Sequence, residues 1–127
     1  MKPRGLCFAV IVLPALVMAG CHSYHIETTV VNHTGGAVRL LEVDYPSASF
    51  GANSLAANAV LPYRIQLRGN GPLKVQYTAD DGRQAVVTGP TAAEQQEGRL
   101  EIVLLPDGKA EFHLQLTPQR YGDAGPN

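Results

Sequence analysis

Cys21 is the residue of this chain whose side chain and surroundings best suit covalent chemistry. A cysteine thiol becomes a strong nucleophile once it loses its proton, and the small residues Ala19 and Gly20 leave the preceding peptide bond accessible to a peptidase. The segment ahead of them has a short basic head over residues 1–4 and an almost wholly apolar run over residues 5–17. This order of basic, apolar and small residues predicts a secretory signal over residues 1–20, cut between Gly20 and Cys21.

The residues at the cut resemble the lipobox of bacterial lipoproteins, whose usual form is Leu-Ala-Gly-Cys or Leu-Ser-Gly-Cys. Ala19, Gly20 and Cys21 match that pattern, and Met18 stands where leucine is usual. The resemblance implies that the thiol of Cys21 is joined to diacylglycerol, that the chain is cut before it, and that the new amino group is acylated. Apart from these covalent lipids we expect no cofactor.

The residue after the cysteine bears on the location of the protein. In enterobacterial lipoproteins an aspartate at this position favours retention in the inner membrane, whereas this chain has His22. The resemblance therefore implies the periplasmic face of the outer membrane, while the outer face of the inner membrane and the cell surface stay open. Two or three acyl chains anchor a protein stably, so the mature chain needs no spanning segment of its own.

Two other interpretations of the leader compete with the lipobox. A transmembrane helix needs about 20 apolar residues, but the apolar segment over residues 5–20 is shorter than that and Pro14 interrupts it. An ordinary secretory signal followed by a structural cysteine stays open as well.

The remaining candidate metal ligands are sparse. His22 and His25 lie three positions apart on an extended tether, with no cysteine or carboxylate cluster to complete a coordination set. We expect His33 in a turn and His113 on a polar strand face, both at the surface. Asp80-Asp81-Gly82 offers too few oxygen ligands for calcium and is typical of a hairpin turn. The sequence therefore predicts no metal site.

The sequence also predicts no enzyme. It contains no G-x-S-x-G elbow, and no nucleophile stands with a base and an orienting acid. The carboxylates that lie on polar faces of predicted strands are expected to be solvated: Glu42, Asp44, Glu101 and Glu111. Asn32-His33-Thr34 fits the N-glycosylation pattern, but a lipobox implies a bacterial host, in which that pattern means little.

Composition limits the classes further. The chain has 127 residues with ten basic and eleven acidic side chains, and removal of the leader leaves 107 residues with eight basic and eleven acidic ones. The arginines are dispersed, so nucleic-acid binding is disfavoured. Cys7 leaves with the leader and Cys21 is lipidated, so one domain must fold on its core without a disulfide.

The elements that position these residues are predicted to be strands. Alternation of apolar and polar residues indicates seven of them, over 23–32, 37–45, 60–68, 73–79, 83–88, 99–105 and 109–117. Val38 and Leu40 break the alternation of the second strand, which predicts a bulge or a strand buried on both faces. The spacing of Thr91 and Glu94 predicts the start of a short crossover helix that ends at Gly98.

Seven such strands predict an all-β fold, an antiparallel seven-stranded immunoglobulin-like β-sandwich, with a small barrel as the alternative. The sandwich is expected over residues 25–117, between a lipidated tether over 21–24 and a disordered tail over 118–127. Residues 31–35, Val-Asn-His-Thr-Gly, resemble the opening strand and turn of some bacterial sandwich domains, and that resemblance implies no activity.

One segment is a candidate for partner contact. Residues 46–59 are small and polar and predict a loop, with room for a short edge strand around Ser49. Tyr45 and Phe50 place two aromatic side chains there, and binding residues concentrate on loops carried by rigid scaffolds. The alternative is that Phe50 plugs the open end of the sandwich.

These observations lead to two functional hypotheses. The first is a lipid-anchored, non-enzymatic accessory module that contacts the membrane through its anchor and another envelope protein through a loop or an exposed edge strand. The alternative is a periplasmic carrier or sensor that binds a small ligand in a pocket between the sheets.

Overall fold

A computed structural model describes residues 23–117 of the chain. The predicted signal, the cleavage site at Gly20 and Cys21, the neighbouring His22 and the tail over 118–127 lie outside the described residues. Across residues 23–117 no helix has the length and apolar character that crossing a membrane requires.

The described chain forms eight β-strands. They are β1 (Ile26–Asn32), β2 (Val38–Tyr45), β3 (Ala48–Leu55), β4 (Val60–Ile65), β5 (Gly71–Thr78), β6 (Gln84–Ala92), β7 (Gly98–Leu105) and β8 (Lys109–Leu116). The first sheet has the order β4-β1-β7-β8 and the second has the order β3-β2-β5-β6. The predicted all-β sandwich is therefore confirmed, with eight strands rather than seven.

The expectation of a wholly antiparallel sandwich is wrong. β1 and β7 pair in parallel, from Ile26 opposite Gly98 to Asn32 opposite Leu104, while the other pairs are antiparallel. Parallel neighbours need a long connection between them, and here β2 to β6 supply it. Alternation along one strand carries no information about the direction of its neighbour, so the sequence could not show this pairing.

The additional strand is β3, in the segment predicted as a loop with room for a short edge strand around Ser49. Only Phe50 and Leu55 are buried along it, so its apolar alternation is too sparse to stand out. A two-residue connection joins it to β2, with Pro46 followed by Ser47 at a φ of 88°. Proline followed by a residue with a positive φ is typical of a type II turn, in which glycine usually holds the second position. Because serine stands there, the sequence did not indicate this turn.

The predicted crossover helix is wrong. β6 continues to Ala92, so the residues expected in the first turn of the helix belong to a strand. The connection from β6 to β7 is a turn. The backbone N–H of Ala93 donates to Oε1 of Gln96 at 2.9 Å, and Gln95 has a φ of 64°, which no right-handed helix contains. A bond with the three-residue spacing of a capping box is thus present, but it joins Ala93 and Gln96, not Thr91 and Glu94, and it closes a turn.

The predicted break in β2 is a bulge. The register of β2 against β5 shifts between Arg39 and Glu42, and Leu40 adopts a φ of 52°. The bulge turns the side chain of Leu40 to the outer surface of the second sheet, where it is 65% exposed.

The core lies between the two sheets and is built from aliphatic side chains. Its fully buried members come from central strands of both sheets: Val30, Val38, Val43, Leu73, Val75, Ile102 and Leu104. Tyr77 on β5 is buried with them, at 3% exposure, and its hydroxyl has no hydrogen-bond partner. Burial also raises the pKa of this hydroxyl.

We expect Tyr77→Phe to leave the domain as stable or to stabilise it by about 1 kcal/mol. A buried hydroxyl without a partner costs free energy that phenylalanine does not, and the aromatic ring that packs in the core is kept. Urea unfolding of the two proteins measures the difference. A loss of stability would show that the hydroxyl has a partner in solution.

Candidate functional site

The two ends of the sandwich differ in what they carry. β1, β3, β5 and β7 run from one end to the other, and the remaining strands return. We call the end at which β1 begins the near end; it also holds the Pro46–Ser47 hairpin and the connections over 66–70 and 93–97. The far end holds the connections over 33–37, 56–59, 79–83 and 106–108. The near end is thus the one next to the predicted anchor in sequence.

Asn32 organises the far end, a role that the sequence analysis missed. Its side chain is fully buried, and Nδ2 donates to the carbonyl oxygens of Gly36, Leu55 and Ala56 at 2.8, 3.0 and 3.2 Å. Its Oδ1 accepts from the backbone N–H and the hydroxyl of Thr34, at 3.0 and 2.7 Å. One amide therefore joins the turn after β1 to the end of β3.

This arrangement explains the glycosylation-like pattern in structural terms. Nδ2 of Asn32, the atom that a glycan would need, is occupied by backbone carbonyls inside the protein. The Thr34 hydroxyl, two positions later, accepts from the N–H of Gly36 at 3.4 Å and donates to Asn32. The presence of asparagine and threonine at this spacing is thus explained by the turn that their side chains stabilise.

The aromatic candidates lie at the open side of the sandwich between the edge strands β3 and β4. The rings of Phe50 and Tyr63 stack at a centroid distance of 4.4 Å and an interplanar angle of 14°. Tyr45 lies 6.4 Å from Phe50, tilted by 49°. Phe50 is 7% exposed, whereas Tyr63 is 46% exposed, so Tyr63 covers Phe50 from the solvent side.

Phe50 is therefore buried on a strand at the open side of the sandwich, whereas the plug interpretation had it in a loop at an open end. Tyr45 is half-buried at the near end, beside the hairpin. Burial is the main cause that raises the pKa of its hydroxyl, and the neighbouring Tyr63 adds to it. Contact of Tyr45 and Phe50 with a partner stays a prediction, and of the three rings Tyr63 is the most accessible.

The predicted metal candidates that the structure describes do not converge. His25 precedes β1, His33 lies in the far-end turn, and Nε2 of His113 lies 3.1 Å from Oε1 of Glu111 on β8. Asp81 lies in the β5–β6 hairpin, where its Oδ1 accepts from the N–H of Arg83 at 3.0 Å. Within residues 23–117 no group of three or more His, Cys, Asp or Glu side chains is placed to hold a metal ion.

Two of the acidic candidates form a pair on the outer face of the second sheet. Oε1 of Glu42 accepts from Nε2 of Gln76 at 3.1 Å, and Oδ2 of Asp44 lies 3.4 Å from Nζ of Lys74. The side-chain hydrogen bond and the charge of Asp44 are the main causes that raise the pKa of Glu42. One ammonium thus faces two carboxylates, and Glu101 and Glu111 lie on the other sheet.

We expect this pair to lower the free energy of unfolding as pH rises. The fall begins near the ordinary pKa of a glutamate and ends above the raised pKa of Glu42. In that window the folded state holds more protons than the unfolded state, so each step up in pH favours unfolding. Chemical denaturation at a series of pH values measures the slope. In Glu42→Gln the slope over this window should shrink, and an unchanged slope would assign it to other groups.

Comparison with known proteins supports the fold and goes no further. No family model matches the chain, and no curated protein matches it. Among solved structures it is similar to the NMR structure of a protein from Eubacterium rectale, with a TM-score of 0.52 and 13% sequence identity. The match covers 71% of this chain and 87% of that one. At this identity the likeness concerns the fold alone.

Proposed function

We propose that this chain is a lipoprotein, anchored through Cys21 at the periplasmic face of the outer membrane, that serves as a non-enzymatic accessory module for another envelope protein. The observation that carries the proposal is the lipobox-like run ending at Cys21, which leads into β1 after only four intervening residues. Four extended residues span at most about 14 Å. An anchor at Cys21 would therefore hold the near end close to the membrane surface.

The alternative of a small ligand between the sheets has less support. The inward-facing side chains of both sheets meet in one cluster, and most of its members are less than 5% exposed. Two grooves among residues 23–117 open on the outer faces: one is lined by Thr29, Glu101 and His113 and the other by Leu40, Gly51 and Asn53. A protein that contacts its partner through a surface fits this architecture better than a protein that carries a ligand in its core.

We also propose that the sandwich is of the immunoglobulin-like type. Two sheets of four strands pack face to face, and the chain crosses between them four times, after β1, β3, β4 and β6. Such sandwiches use their ends and edges for recognition while the core supplies rigidity. This supports an accessory module that presents a surface.

The anchor is tested by metabolic labelling with a palmitate analogue in a bacterial host. We expect the parent chain and Cys7→Ser to take up label and Cys21→Ser to take up none, because Cys21 is the cysteine that stays in the chain after the proposed cleavage. Cys7→Ser is the matched control, since it removes the other cysteine of the chain. Label on Cys21→Ser would rule out the proposed lipidation, and fractionation of the labelled chain tests the outer-membrane location.

A further inference from the structure

We propose that the free edge of β3 is the contact surface, and that it receives an extended segment of another protein as an additional strand, with basic side chains facing Glu42 and Asp44. This inference rests on the proposed accessory function and names its surface and the chemistry of its partner. Three observations carry it: the composition of the edge, the bare backbone at Gly51, and the charges beside it.

β3 differs from the other edge strands of the described domain. Exposed edges are commonly protected against pairing by proline or by charged residues. β4 contains Pro62, β6 contains Pro90, and β8 carries Lys109 and Glu111. The eight residues of β3, ASFGANSL, include neither proline nor a charged side chain. β3 is thus the edge whose composition best permits another strand to pair.

The geometry of the β2–β3 hairpin determines which backbone groups of β3 point away from β2. Tyr45 and Ala48 close a two-residue connection, so they form a hydrogen-bonded pair, and such pairs alternate with non-hydrogen-bonded ones along antiparallel strands. The N–H and C=O groups of Ser49, Gly51 and Asn53 therefore face the free edge. These are the groups that an added strand would use.

The side chains on the outer face leave room for an added strand. Ser49, Gly51 and Asn53 face outwards beside Leu40 and Glu42, and together they line an open groove of about 600 Å³. Gly51 packs so tightly against β2 that a Cβ there would lie 2.0 Å from the carbonyl oxygen of Leu41. This position must stay without a side chain, so nothing at Gly51 separates the edge from Glu42.

The charges beside the groove select a basic segment. Glu42 lies opposite Gly51 and Asp44 opposite Ser49, and Nζ of Lys74 contacts Asp44. A residue on an added strand would lie two strand spacings from β2, about 10 Å. A lysine or arginine side chain that reaches across Gly51 and the side chain of Glu42 that extends towards it can together bridge this distance, whereas an acidic side chain would be repelled.

A second copy of the chain does not fit the edge as well. Two β3 strands related by a two-fold axis perpendicular to the sheet, the arrangement that forms one continuous sheet, would pair antiparallel, so the near ends of the two copies would point in opposite directions. Chains anchored in one membrane through residue 21 have their near ends on the same side. The occupant is therefore a segment of a different protein.

The test uses the full chain, purified from bacterial membranes in detergent, and two ten-residue probe peptides that alternate valine with lysine or valine with glutamate. Fluorescence anisotropy measures binding to the parent, to Asn53→Pro, which lacks an edge-facing N–H, and to Asn53→Ala, which keeps it. We expect the lysine peptide to bind the parent and Asn53→Ala alike. The glutamate peptide and the proline variant should each weaken binding by about tenfold or more, corresponding to about 1.4 kcal/mol.

A lysine peptide with N-methyl groups on its pairing edge repeats the test with the unaltered protein, so the result does not depend on the folding of Asn53→Pro. We expect it not to bind. Absence of binding by the unmethylated lysine peptide, equal binding of the glutamate peptide, or binding that survives methylation would each overturn the proposal.

Photocrosslinking in cells separates this inference from the accessory function. A photoreactive residue is placed at Asn53 on β3, and matched controls carry it at Thr88 on β6 and at Gln115 on β8. A partner captured from position 53 alone is the expected result. Capture only from position 88 or 115 would overturn the β3 site but not the accessory role. A crosslink between two copies of this chain at position 53 would also overturn the β3 site. No capture from any position would contradict the accessory function itself.

Discussion

Asn32→Asp is expected to destabilise the domain by about 3–5 kcal/mol, the range found when a buried charge is left without a partner. The amide nitrogen of Asn32 meets three carbonyl oxygens, and a carboxylate oxygen in its place would meet the same three without a hydrogen to donate. Urea unfolding followed by circular dichroism measures the loss. Lowering the pH should recover part of it, because a protonated aspartate can donate once.

The matched control is Asn58→Asp, which makes the same chemical change on an exposed far-end turn. Asn58 has a φ of 64°, which aspartate tolerates nearly as well as asparagine does, so a change within about 0.5 kcal/mol is expected. A similar loss in both variants would mean that added negative charge at the far end, and not the network of Asn32, causes the effect.

Gly98→Ala is expected to cost about 3 kcal/mol or more, at the upper end of what one strained backbone position costs. Gly98 opens β7 with a φ of 139°, and a Cβ there would lie 2.1 Å from the carbonyl oxygen of Gln115 on β8. Backbone cannot move aside as a flexible side chain does, so the pairing of β7 with β8 must open at the near end. Thermal and urea unfolding measure the cost.

Gly69→Ala separates the two causes of that loss. Gly69 also has a positive φ, 105°, but a Cβ there would meet nothing within 4 Å. Its cost should therefore reflect the backbone conformation alone, about 1 kcal/mol. Equal losses at both positions would show that the contact with Gln115 is relieved by a small shift and contributes little.

The strands with regular alternation were predictable from the sequence, because one face of each is buried. β5 shows this best: Leu73, Val75 and Tyr77 are buried and the residues between them are partly exposed. β3 was predicted only as a loop with room for a short edge strand around Ser49, because the small side chains of this edge strand leave little apolar alternation. The helix was predicted wrongly because the capping spacing is a local signal, and the backbone at Gln95 is set by the connection between sheets.

The candidate site was only partly predictable. The sequence identified Tyr45 and Phe50 as unusual, but it could not show that Phe50 is covered by Tyr63, a residue on another strand of the opposite sheet. Asn32 looked like a turn residue, because the carbonyls it binds at Leu55 and Ala56 are 23 and 24 positions away. Contacts across such separations depend on topology, which a local pattern does not contain.

The position of β1 in the middle of the first sheet has a consequence for the order of folding. β1 is the first strand of the described chain, yet its parallel neighbour β7 begins 72 positions later, at Gly98 opposite Ile26. A chain that emerges from its N-terminus cannot complete this sheet until almost all of the domain has followed. Closure of such distant contacts slows folding, so β1 would wait without its β7 partner while the rest of the chain arrives.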